Sequence, residues 1–230
     1  MKWLRRFERL LWGAGILLVA FWIAAKIHSA AGSRRDLQRF AEIRHTSTPV
    51  RALPVQSPTP ARVLSTDTSP DETLWSRQRI EGYQASLSEQ TSDPLAILRI
   101  PKIGLEVAVL EGTDDLTLNR AVGHIEDTAK PGDKGNVGIA GHRDGFFRGL
   151  KDVVKGDTLE LETLSGTQTY RISDIWIVHP EDVYVLDPTP EPSITLVACY
   201  PFYYVGHAPQ RYIVRASRSA SSADTASKAP

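Results

Sequence analysis

The chain predicts an all-β fold with short helices, a barrel or a sandwich, preceded by an N-terminal transmembrane helix. Three observations carry this. From Leu95 onward, short β-branched runs alternate with turn residues, as strands at close spacing do. Ahead of them lies a stretch rich in Pro, Ser and Thr, too polar to bury a core. Ahead of that, basic residues precede an uncharged run. The 230 residues, 41% hydrophobic and 23% charged, suit one globular domain plus accessory segments.

Charge and cysteine content exclude several classes. Lys and Arg number 27 against 27 Asp and Glu, which is not the footprint of a nucleic-acid binder. A single cysteine forbids an intrachain disulfide and a Cys-rich metal site. No histidine pair has short ligand spacing within one element, so neither a metal nor another cofactor is expected. The acidic pairs Asp114-Asp115 and Glu126-Asp127 read as solvated loops rather than a calcium site.

The elements follow in order. Lys2, Arg5, Arg6 and Arg9 precede an uncharged run from Leu10 to Ala25. That run is slightly short of the roughly 20 residues a spanning helix needs, and snorkelling of Lys26 extends it. Residues 1–31 read as a signal anchor, with Trp3, Trp12 and Trp22 suited to the interfaces. The competing reading is a signal peptide cleaved at Ser29-Ala30-Ala31. Both put the main domain outside the cytoplasm, and the anchor reading makes the protein single-pass in the cell membrane. Residues 32–68 read as a stalk, with Gly32 to Arg44 basic, weakly helical and solvated. Ser69-Pro70-Asp71-Glu72 has the form of a capping box. It predicts a helix to about Ser88 whose Ile80, Tyr83 and Leu87 pack on the domain. Strands are expected at 95–100, 106–111, 136–142, 158–163, 169–179, 193–199 and 211–216. Phe147, Leu150 and Val153 mark a short helix between two of them. The domain is thus 69–216, and 217–230 is a low-complexity tail.

One residue stands out chemically. Cys199 ends the run Ile194 to Cys199 and is followed by Tyr200-Pro201. Proline cannot continue a central strand, so the thiol is delivered at a strand end. A lone cysteine is as often an inert core residue. A nucleophilic thiol needs a base or a cation nearby. Of six histidines, His28 and His45 lie in the anchor and stalk; His124, His142, His179 and His207 remain open by spacing. An oxyanion donor is also required. In the strand from Arg211, alternation puts Arg211, Ile213 and Arg215 on one face; Arg215 reads as a surface residue.

At this point the chain resembles the sortase family, most of all its class D members. TLVAC at 195–199 resembles the family's cysteine strand, NVGIAGHRDGFFRGL at 136–150 its histidine strand and following helix, and APQRYIVRA at 208–216 its arginine strand. LRIPKIGLEVAVLEG at 98–112 and TLNRAVGH at 117–124 resemble its first strands and loop. The motifs occur in the family's order. Ala198 departs from the threonine of many relatives. The resemblance implies a closed eight-stranded β-barrel and assigns the nucleophile to Cys199, the acid/base to His142 and the oxyanion stabiliser to Arg211. It implies a sorting peptide of the Leu-Pro-x-Thr-Gly type as donor and an amine as acceptor, through a thioacyl intermediate, with hydrolysis as the side reaction. With strand parity it places Thr195, Val197, Ala140, Val185 and Leu186 along the peptide groove, and His124 at its border. Ordinary pKa values of about 6.5 for His and about 8.5 for Cys leave few molecules in the thiolate–imidazolium form at neutral pH. The alternatives are a thiol peptidase using water and an anchored binding domain with an inert cysteine.

Overall fold

The computed structural model describes residues 36–44, 70, 72–204 and 206–218. The expected anchor, most of the stalk and the tail from 219 lie outside these. Among the described residues no helix is long and apolar enough to cross a membrane.

Eight strands close into a barrel. They are β1 (Ala96–Ile100), β2 (Leu105–Glu111), β3 (Val122–His124), β4 (Asn136–Gly141), β5 (Thr158–Thr163), β6 (Gly166–Val178), β7 (Ser193–Tyr200) and β8 (Gln210–Arg218). Around the barrel the order is β1-β2-β3-β4-β7-β8-β6-β5. Closure leaves no unpaired edge strand. Alternate residues point inward to one apolar core, with Ile139, Leu196 and Val214 fully buried. Seven strands fall where the β-branched runs put them. The eighth, β3, has three residues, too few to show a period.

The helices depart further from expectation. Residues 36–44 are helical (α1) but dock one face on the domain. Phe40 is buried in the core cluster, and Asp36 forms a buried two-pronged ion pair with Arg120, at 2.7 and 3.0 Å. The expected cap at Ser69 lies outside the described residues, and the helix expected to run on from it is not continuous. Glu72–Leu74 is a 3-10 turn, and α2 spans Arg77–Ser86 with Ser76 as its cap. Trp75 turns in against Tyr83 and Phe146, which breaks the segment before Ser76. Asp114-Asp115 is not a loop: the Asp114 side chain caps α3 (Asp115–Arg120) by accepting from Thr117 N. The helix marked by Phe147 is present as a 3-10 segment, Phe146–Asp152.

Candidate active site

β4 and β7 run parallel with Gly141 level with Ala198, so His142 leaves β4 level with Cys199. β7 and β8 run antiparallel with Cys199 directly opposite Arg211. Directly opposed residues share a sheet face. Three distant stretches thus deliver an imidazole, a thiol and a guanidinium to one rim, on the outer face. His179 follows β6, on the far side of β8 from Cys199, and is exposed. His207 is exposed in the loop between β7 and β8.

Local packing sets the His142 turn. Gly141 faces the interior, where a Cβ would stand 2.6 Å from the Phe147 ring; only glycine leaves that ring its place. The His142 carbonyl accepts from Gly145 N and Phe147 N, which closes the turn. The ring is partly buried, and its Nε2 has no hydrogen-bond partner among the described residues. Burial pushes the imidazole down to about 4, with the Arg79 guanidinium adding to the drop and Asp144 and Asp115 opposing it. His142 is therefore neutral at pH 7.

The two arginines after His142 hold the loop that follows Cys199. Arg143 donates to the carbonyls of Pro201 and Gly206, at 3.3 and 2.7 Å. Arg148 donates to the Phe202 carbonyl and lies over the Tyr203 ring. Cys199 is a free, half-buried thiol. Arg211 turns Nη1 toward the carbonyls of Ala208 and Gln210, at 3.4 and 3.1 Å. A guanidinium has five N–H donors, so these contacts do not exhaust it.

Beside this rim lies an apolar patch on the outer face of the sheet. Val178, Val185 and Ile213 form a small buried cluster, with Leu186 and Val197 packed on it. Ala140 is level with Val197 and partly exposed. Ala140, Val197 and Leu186 thus sit on the accessible surface next to Cys199. Val185 is only 5% exposed and acts from below, with its carbonyl accepting from Asn136 Nδ2 and Arg215.

Two expected peptide contacts need correction. Thr195 is 0% exposed: its hydroxyl donates to Asn136 Oδ1 and accepts from Arg215 Nε, at 2.7 and 3.3 Å. It supports the loop above it instead of facing the groove. His124 is 2% exposed. Its Nδ1 stands 2.9 Å from Glu111 and its Nε2 3.0 Å from the Ala129 carbonyl, which commits both nitrogens within the fold. Arg215 is likewise no surface residue, since it joins Thr195 to the Val185 carbonyl and lies over Trp176. Sequence reading missed Ile213 and Val178 as patch residues, although parity already put Ile213 beside Arg211. Asn136, Arg143 and Arg148 left no local signal, because their partners lie 49 or more residues away.

Comparison with known proteins agrees with this geometry. Residues 98–219 match the Sortase domain family. The chain is 40% identical to Sortase D of Bacillus subtilis over 136 residues, 59% of this chain and 69% of that protein. A Sortase D5 transpeptidase from Clostridium perfringens aligns at 32% identity with a TM-score of 0.51, over 61% of this chain and 88% of that one. Sortase A from Corynebacterium diphtheriae, a lid mutant, aligns at 31% with a TM-score of 0.53, over 61% and 77%. A barrel that brings a thiol to such a rim, in such company, is that of a cysteine transpeptidase. The chain belongs to the sortase family.

Proposed function

We propose that the protein is a membrane-anchored sortase that cleaves a Leu-Pro-x-Thr-Gly-like sorting signal and transfers the acyl part to an amine. The observation that carries this reading is the pairing of Cys199 with Arg211 across β7 and β8, with His142 leaving β4 level with them. The likeness to Sortase D of Bacillus subtilis supports a class D placement. The uncharged run from Leu10 to Ala25 behind basic residues supports a single-pass anchor with the barrel outside the cytoplasm.

In the proposed mechanism the Cys199 thiolate attacks the Thr carbonyl carbon. Arg211 donates to the oxyanion that forms. The C–N bond breaks as the His142 imidazolium gives its proton to the leaving Gly amine, and a thioacyl enzyme remains. An incoming amine gives a proton to His142 and attacks the thioester; the new amide departs and the thiolate returns. The Leu and Pro side chains rest on the apolar patch of Ala140, Val197 and Leu186. Because His142 is held at about 4, the ion-paired form is scarce and turnover is slow.

The test is mass spectrometry of the full chain incubated with a sorting peptide, with and without a primary amine. An adduct of the acyl fragment on Cys199, and a ligated product when the amine is present, are expected. Processing by Cys199→Ala, or an intact peptide with the unsubstituted chain, overturns the reading. Hydrolysed product alone, whatever amine is supplied, makes the enzyme a peptidase.

A further inference from the structure

Asp144 lies in the turn after His142, and both of its oxygens are held from α2. Ser76 Oγ donates to Oδ2 at 2.7 Å and Arg79 Nε to Oδ1 at 3.2 Å. Ser76 is also the cap of α2, accepting from Arg79 N at 3.2 Å, so one hydroxyl joins the start of that helix to the histidine turn. Arg79 reaches on to Asn119 of α3. Its stem crosses Gly145, where a Cβ would stand 3.3 Å from Arg79 Cδ; a side chain there would press on the stem. Ser76 and Arg79 both precede residue 98, where the match to the Sortase domain begins.

The charges facing His142 come from several elements. Arg79 of α2 disfavours the imidazolium, while Asp144 and Asp115 favour it. Arg143 is turned away to the loop after β7, Cys199 stands level with His142 on the neighbouring strand β7, and Arg211 lies one strand further, on β8. Burial tends to raise the Asp144 carboxyl, but the Ser76 hydrogen bond and the Arg79 charge and hydrogen bond outweigh it and hold the group below the usual carboxylate range. Asp144 is ionised at neutral pH and offsets the guanidinium beside the ring.

We propose that Asp144 is a positioning residue for His142, held by Ser76 and Arg79, and that α2 is therefore part of the working enzyme. The carboxylate ties the turn to α2 and offsets part of the Arg79 charge at the ring. Without it, only the smaller effect of Asp115 opposes the guanidinium at the imidazole. This role rests on His142 being the acid/base, so its test has a readout that does not depend on turnover.

The experiment compares the full chain with Asp144→Asn, Arg79→Met and Arg79→Met/Asp144→Asn. Methionine keeps the stem over Gly145. The first readout is the NMR titration of the His142 ring, assigned by its loss in His142→Asn. Arg79→Met raises the midpoint, and adding Asp144→Asn to it lowers the midpoint again by about one pH unit. The second is the pH profile of kcat/KM on a sorting peptide. Asp144→Asn costs about tenfold, one unit in the ion-paired population, and the double variant recovers most of it. Equal midpoints in Arg79→Met and the double variant overturn the proposal. So does a double variant as impaired as Asp144→Asn, because a purely structural role gives no rescue. If no variant processes peptide, the titration still decides the role of Asp144, and the functional reading fails separately.

Discussion

Cys199 and Arg211 stand directly opposite each other on neighbouring antiparallel strands, on the outer face of the barrel. The thiol and guanidinium are fixed relative to each other by the β7–β8 ladder, and the imidazole joins from β4 on the other side.

Arg211→Ala is expected to lower kcat by about 10²–10³ with a smaller change in KM, the pattern for loss of an oxyanion donor. Arg211→Lys does not restore it, because an ammonium lacks the planar fork. Steady-state kinetics on a sorting peptide check this. An unchanged kcat in Arg211→Ala removes the residue from the chemistry.

The His142 ring links stability to pH. Its folded pKa, about 4, lies below the ordinary 6.5, so the unfolded chain binds more protons between these values. Stability contributed by this site is intact above pH 6.5 and is lost as the pH falls to about 4. The loss is at most about 3 kcal/mol, since the ring keeps some exposure. Urea unfolding at pH 7 and pH 4 should show a smaller acid loss in His142→Gln than in the unsubstituted chain. Parallel losses in both contradict the assigned shift.

Asn136 holds the loop between β6 and β7 over the sheet. Its Nδ2 donates to the carbonyls of Val185 and Asp187, both at 3.2 Å, and its Oδ1 accepts from Thr195. Asn136→Ala leaves the buried Thr195 hydroxyl without its acceptor, at about 1–3 kcal/mol, and removes two of the donors that hold the loop. The expected result is a lower Tm, faster hydrogen exchange at residues 183–187 and a raised KM. Unchanged exchange there shows that the loop is held by something else.

Asp36→Asn should destabilise the protein by about 3–5 kcal/mol, because Arg120 is left charged and buried. Chemical denaturation measures it. Removing both charges, in Asp36→Leu/Arg120→Met, should cost less than Asp36→Asn. A neutral Asp36→Asn means that α1 does not dock in solution.

Local pattern determined much of this protein by itself. Short β-branched runs between turn residues located seven of the eight strands, and Pro201 after Cys199 marked the end of the cysteine strand. The motifs around His142, Cys199 and Arg211 were legible as a family likeness, because each is a contiguous stretch. Tertiary structure decided the rest. The start of α2 was misread because Trp75 packs on Tyr83 and on Phe146, 71 residues away in sequence, which leaves Ser76 as the cap. Arg215 and Thr195 looked like surface and groove residues until the loop over them supplied partners. The docking of α1 depends on Arg120, 84 residues from Asp36. Alternation along a strand says which residues share a face. It does not say which loop or helix folds back to cover that face, and so it does not say which charges end up paired.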